Sequence, residues 1–304
     1  MTLTDVLSET FRHSEPPEIS IGKVRRVDLG AGRRLNVRLV RPPVAGAPTV
    51  LLLHGWTATA DVNFSTLYRP LSERCAVIAP DHRGHGRGIR SDEPFTLRAC
   101  ADDAADLLKH LGAGPAVVLG YSMGGPVALL MARHRPEVVQ GVVLCATAAH
   151  FGHNAAGRVA LGAVGAIGRA TKQAMAFVTS RGDIAGEVSN GIYRHLHTPL
   201  GHDLAQVAEA GGELARFDAT SWLHTLEVPA AVVVTTDDHA VPPLDQHMLR
   251  AALPGAIGFE VPGDHDICLQ ESSEFISTVC AAVDSVSTSG KQLTAPRNAT
   301  TTIL

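Results

Sequence analysis

Apolar runs that alternate or run on unbroken, separated by turn residues, divide most of this chain into strands and helices. Lys23 to Leu29 and Arg34 to Val40 alternate apolar with polar residues around Gly30-Ala-Gly-Arg33, which predicts an antiparallel hairpin. After a Pro42-Pro43 loop, Thr49 to Leu53 is apolar without interruption, the pattern of a strand buried on both faces. Ala76 to Ala79, Ala116 to Leu119, Val138 to Cys145, Val228 to Val234 and Ile257 to Val261 predict further strands. Helical spacing runs over Leu97 to Leu111, closed by Gly112-Ala-Gly114, and helices are expected over Val127 to Ala132, Pro243 to Leu253 and Glu271 to Val283. Strands and helices in this alternation predict an α/β fold, a mainly parallel eight-stranded sheet with helices on both faces.

The alternation breaks over residues 147–222, where helix-like pieces rich in alanine and glycine stand without a buried strand. That segment reads as a helical cap inserted into an α/β core made of residues 21–146 and 223–284. Inside it, Leu161 to Ile167 lies between Arg158 and Arg169, which suits either an amphipathic lid on lipid or bulky substrate or a cap helix packed on the core. Residues 1–20, polar and broken by Pro16-Pro17, read as an N-terminal arm. Residues 285–304, rich in Ser and Thr, read as a flexible tail.

Composition narrows the classes. A chain of 304 residues, 45% hydrophobic, can bury a full core. A net charge of −4 offers no broad positive field, so no nucleic-acid partner is expected. The five cysteines, Cys75, Cys100, Cys145, Cys268 and Cys280, are scattered without a C-x-x-C pair, which predicts buried thiols in a reducing cytoplasm. No apolar stretch approaches the length of a membrane span, so no integral membrane segment is expected. The pattern leaves the oligomeric state open. Fifteen histidines invite a metal reading, and Asp81 with His82-x-x-His85 superficially resembles a ligand cluster; its glycines suit a turn instead, and no metal is expected.

Gly120-Tyr121-Ser122-Met123-Gly124-Gly125 carries the candidate chemistry. The strand Ala116 to Leu119 enters it and the helix Val127 to Ala132 leaves it, which is the setting of a G-x-S-x-G elbow that exposes its serine above a sheet edge. A serine hydroxyl is a poor nucleophile at neutral pH and needs a base and an orienting acid. Both follow in the order serine, acid, histidine: Asp238 after one buried strand, with Asp237 as its neighbour, and His265 after the last, with His239 and the histidines of the cap as other bases.

With His54-Gly55-Trp56, Asp81-His-Arg-Gly-His-Gly86, the elbow, Val228-Pro229, Asp237-Asp238 with Val241-Pro242, and Gly263-Asp-His265, the chain resembles the α/β-hydrolase superfamily from about residue 21 to 283, in the group with a helical cap, and is esterase- or lipase-like. The resemblance implies Ser122 as nucleophile, His265 as general base and then acid, and Asp238 as orienting carboxylate. The backbone N–H groups of Trp56 and Met123 would form the oxyanion hole. It implies a small-molecule acyl substrate, no metal or organic cofactor, and hydrolysis of a carboxylic ester. Carbon–carbon cleavage, thioester cleavage, acyl transfer and a ligand-binding relative with an idle triad are the alternatives. Serine in the elbow argues against dehalogenases and epoxide hydrolases of this fold, which use aspartate. Family members often carry glycine where Thr235 stands, which implies a looser seat for the acid. The Trp56 side chain suits a pocket wall or a structural contact, and Tyr121 reads as a structural neighbour.

Overall fold

A computed structural model describes residues 19–42, 44–151, 162–170, 173 and 201–291. The expectations for residues 1–18 of the arm, for Arg158, Leu161, His153, Tyr193, His195 and His197 of the cap, and for residues 292–304 of the tail lie outside the described residues.

The strands are β1 (Lys23–Asp28), β2 (Arg34–Val40), β3 (Thr49–Leu53), β4 (Ala76–Pro80), β5 (Ala116–Tyr121), β6 (Val139–Cys145), β7 (Ala230–Thr235) and β8 (Ile257–Val261). They form one sheet in the order β1-β2-β4-β3-β5-β6-β7-β8. Within this sheet the β1–β2 and β2–β4 pairings are antiparallel, and β4, β3, β5, β6, β7 and β8 pair in parallel. The helices are α1 (Ala60–Phe64), α2 (Tyr68–Ser72), α3 (Leu97–His110), α4 (Gly124–His134), α5 (residues 162–170), α6 (Leu204–Arg216), α7 (Pro243–Ala252) and α8 (Ser273–Lys291).

The unbroken apolar runs are explained by two cores. Leu51, Leu53, Val118, Val142, Leu144, Val232 and Val234 point to one face, where Leu107, Leu108, Val127, Met131 and Leu249 of α3, α4 and α7 cover them. The intervening Val50, Leu52, Val117, Leu119, Val143 and Val233 point to the other, beneath Phe64, Tyr68 and Leu71 of α1 and α2 and Phe275, Val279 and Val283 of α8. Every position on β3, β4, β5 and β7, and every one on β6 except Gln140, is therefore inside, and alternation disappears from the sequence.

Sheet order also decides where a site can form. From β3 the chain crosses to β4 on one side, then returns through α3 to β5 on the other side of β3. The loops leaving β3 and β5 consequently part at their C-terminal ends, the place where open parallel sheets hold ligands.

Two differences from the sequence reading have physical causes. Helices α1 and α2 were not expected, because five residues each are too short to show a period. Helix α8 runs through residues 284–291, which corrects the start of the tail at 285: Val286 is 1% exposed and continues the inward stripe of Val279 and Val283. Its serines disguise that stripe; Ser287 Oγ donates back to Val283 O at 2.7 Å. Helix α5 packs on α6, where a Cβ at Gly165 would stand 2.6 Å from Gly212 Cα, so glycine lets the two backbones touch. Ile167 is left 54% exposed.

Candidate active site

Ser122 follows β5 directly and has φ +51, a left-handed conformation that costs a non-glycine residue about 1–2 kcal/mol. The surroundings hold it there. Its N–H donates to Cys145 O at 3.0 Å, and its carbonyl accepts from Gly125 N–H at 2.9 Å and from Thr147 Oγ1 at 2.8 Å. The flanking glycines are required by crowding: a Cβ on Gly124 would lie 1.9 Å from Leu53 O, and one on Gly120 would lie 2.3 Å from Gly124 O. Glycine thus lets α4 start against β3 and leaves the serine half-buried at the sheet's edge.

Loops after β7 and β8 bring two further residues to Ser122. His265 Nε2 lies 3.0 Å from Ser122 Oγ, and His265 Nδ1 lies 2.8 Å from Asp238 Oδ2. Asp238 is 4% exposed and its carboxylate is fully engaged. Oδ1 accepts from the N–H groups of Ala240 and Val241 at 2.9 and 2.7 Å; Oδ2 also accepts from Thr235 Oγ1 at 2.8 Å and Gln246 Nε2 at 3.3 Å. Thr235 therefore tightens the seat of the acid, which corrects the looser seat expected for a residue other than glycine there. Asp237 turns away, its Oδ2 accepting from Gly263 N–H at 3.0 Å.

Asp264, the residue before His265, serves the loops. Asp264 Oδ1 accepts from the N–H groups of His239 and His265 at 2.9 and 2.6 Å, and Oδ2 lies 2.9 Å from His239 Nδ1. Those backbone donors, His239 first, hold the Asp264 carboxyl down to about 2. His239 is thus occupied with Asp264 and exposed, 85% at its side chain, away from the Ser122–His265 pair. Tyr121 also acts on the histidine: its hydroxyl donates to His265 O at 2.8 Å. Nothing in the sequence signalled that contact, because the two residues lie 144 positions apart.

Trp56 follows His54-Gly55 at the end of β3, beside the elbow. A Cβ at Gly55 would lie 3.2 Å from Ser122 Cβ. The Gly55 N–H donates to Asn63 Oδ1 at 2.7 Å, and Asn63 Nδ2 in turn reaches Cys268 Sγ at 3.4 Å. Burial pushes the Cys268 thiol up to about 12, so it stays protonated. The Trp56 indole N–H donates to Val207 O of α6 at 2.7 Å and its ring lies against Gly211, which makes the side chain a tether between core and α6. The backbone N–H groups of Trp56 and of Met123, which caps α4, have no acceptor among the described residues.

The motif from Asp81 to Gly86 builds the floor behind this turn. Asp81 accepts from the N–H groups of Ala60 and Arg87, both at 2.8 Å. Asp61 takes Arg38 in a two-pronged ion pair at 2.7 and 2.8 Å. His54, His82, His85 and His202 pack in a buried row, with centroids 4.4 Å apart for His54–His82 and 5.4 Å apart for both His54–His85 and His85–His202. Desolvation lowers the pKa of all four, His202 to about 4. Among the described residues no group of three His, Cys, Asp or Glu side chains has the arrangement of a metal site.

Comparison with known proteins agrees with this architecture. A family model described as alpha/beta hydrolase fold matches residues 48–179. The chain is 36% identical over 119 residues to the 2-(acetamidomethylene)succinate hydrolase of Mesorhizobium japonicum, a stretch that covers 39% of this chain and only 41% of that protein. It is 27% identical over 237 residues to an uncharacterized protein of Mycobacterium bovis, covering 70% of this chain and 68% of the other. Among solved structures, the enol-lactonase from Burkholderia xenovorans superposes with a TM-score of 0.69 at 22% identity, covering 86% of this chain and 100% of that one. The chain has the α/β-hydrolase fold.

Proposed function

We propose that the protein is a serine hydrolase that cleaves a carboxylic ester through an acyl-enzyme. The observation that carries this reading is the unbroken relay from Ser122 Oγ through His265 to Asp238, at 3.0 and 2.8 Å. His265 Nε2 takes the serine proton as Oγ attacks the ester carbonyl, while Asp238 accepts from Nδ1–H and keeps the ring in the tautomer that presents a lone pair to Ser122. The N–H groups of Trp56 and Met123 stabilise the oxyanion. His265 then protonates the leaving alcohol, and a water activated by the same nitrogen releases the acid and restores Ser122.

Residues 147–222 form the cap in this reading and select the acyl group; the tethering of α6 to Trp56 supports that role. Five buried, unpaired cysteines support action in the cytoplasm. The relative that hydrolyses 2-(acetamidomethylene)succinate supports a second reading within the same mechanism, hydrolysis of a bond other than an ester.

Purified protein is expected to react with a fluorophosphonate probe and to release p-nitrophenol from acyl esters, with the acyl length that turns over fastest defining the pocket. Ser122→Ala should abolish labelling and lower kcat at least about 10⁴-fold. Unchanged turnover by that variant overturns the mechanism, whereas Ser122-dependent cleavage of diketones, amides or thioesters in preference to esters reassigns the substrate.

A further inference from the structure

Thr57, directly after the proposed oxyanion donor Trp56, has φ +61. A left-handed threonine persists only where its surroundings over-determine it. Two of the contacts that hold this turn come from the segment entering α6 and from its first turn, about 150 residues further along the chain: His202 Nε2 lies 3.0 Å from Thr57 O, and the Trp56 indole N–H donates to Val207 O at 2.7 Å. A third, from Gly55 N–H to Asn63 Oδ1, closes the other side. The Trp56 N–H is therefore bracketed by an anchored residue before it, an anchored side chain and an anchored carbonyl after it.

His202 is 0% exposed, and its partners dictate its state. Gly86 N–H lies 3.0 Å from Nδ1 and can only donate, so Nδ1 carries the lone pair. Nε2 then carries the hydrogen and donates to Thr57 O. The imidazole is neutral and spans two loops. The segment around it is itself strapped down: Asp203 N–H donates to Gly84 O at 2.8 Å, and Arg90 Nη2 donates to Gly86 O at 2.6 Å and to Gly201 O.

Building on the hydrolase reading, we infer that His202 is a positioning residue of the oxyanion hole: one neutral imidazole carries the fixed geometry of the Gly84–Gly86 loop to the Thr57 carbonyl and so aims the Trp56 N–H. The indole of Trp56 is its partner in this role. An oxyanion donor acts through placement, and a displacement of about 1 Å costs up to about 100-fold in rate. The loss therefore falls on kcat and leaves ground-state binding alone.

The test compares His202→Gln, which can place an N–H where Nε2 stands, with His202→Asn, which can still accept from Gly86 but is too short to reach Thr57. Activity is measured on the fastest p-nitrophenyl ester and normalised to sites titrated by fluorophosphonate. His202→Asn should lose roughly 10–100-fold in kcat with KM within about twofold, and affinity for an alkyl boronic acid should fall in parallel with kcat/KM. His202→Gln should recover most of that loss. Trp56→Phe, which removes the second tether's donor together with part of the ring that lies against Gly211, should show the same split and serves if His202→Asn does not fold. Wild-type kcat per titrated site in His202→Asn, or in Trp56→Phe where the first is unfolded, overturns the positioning role alone. A wild-type protein that neither labels nor turns over ester overturns the hydrolase reading and this role with it.

Discussion

Asp237 and Asp238 are adjacent in the chain, yet only the second faces His265; the first accepts from Gly263 N–H and ties the acid loop to the histidine loop from outside. Asp238→Asn keeps the shape of the side chain but offers His265 Nδ1 an amide, which favours the wrong tautomer. It should lower kcat by roughly 10³–10⁴-fold, and Asp237→Asn should stay within about threefold of wild type, both read from steady-state ester kinetics. The resemblance, through the spacing to Val241-Pro242, already favoured Asp238; local periodicity could not have, since neighbouring loop residues carry no period that says which way each points. Tyr121 and Thr235 were invisible as positioning groups. Their roles come from partners in space: His265 O for the first, Asp238 Oδ2 for the second.

At the scale of an element, the β5–α4 elbow depends on backbone crowding. Gly124→Ala would place a methyl group 1.9 Å from Leu53 O, on backbone that cannot move without parting β3 from β5. That variant should be insoluble or destabilised by more than about 3 kcal/mol, as measured by denaturant unfolding. The end of α8 provides a milder test. Val286→Ala removes two buried methyl groups and should cost about 1–3 kcal/mol, whereas a solvated tail at that position would give a change near zero. Strand and helix positions were readable wherever a run exceeded one or two turns or was buried on both faces. The five-residue helices α1 and α2, and the serine-masked end of α8, fell below that threshold.

For the whole molecule, the buried histidines set the acid limit. His54, His82, His85 and His202 are held neutral by desolvation; His–His repulsion adds to it at His82, His85 and His202, and Arg90 adds further repulsion at His202, while the nearby Asp81 opposes it only at His54. Their folded pKa values lie below the ordinary 6.5, so the unfolded chain binds more protons and stability falls as pH drops. The loss begins near 6.5 and, for His202, continues to about 4. Each fully neutral histidine contributes a slope of about 1.4 kcal/mol per pH unit within that window. Carboxylates such as Asp264, held to about 2, titrate below it, so they do not produce the same slope. A melting series from pH 7.5 to 4.5 should show Tm falling steeply below about 6.5, and a flat profile would contradict the buried neutral row. Protonated His202 would also face Gly86 N–H with a second donor, so the oxyanion turn should loosen as the fold does.

The sequence by itself determined the class of fold, the strand order along the chain, and the serine, acid and histidine stations at strand ends, because buried parallel strands and glycine-shaped turns leave patterns within ten residues. Only the tertiary structure decided that Asp237 ties to Gly263, that Thr235 tightens the acid, that the Trp56 indole is a tether, and that His202 reaches Thr57 across 145 positions of chain. Those contacts join residues that no local period connects. They exist because the sheet order brings the ends of β3, β5, β7 and β8 together and sets α6 across the turn that follows β3.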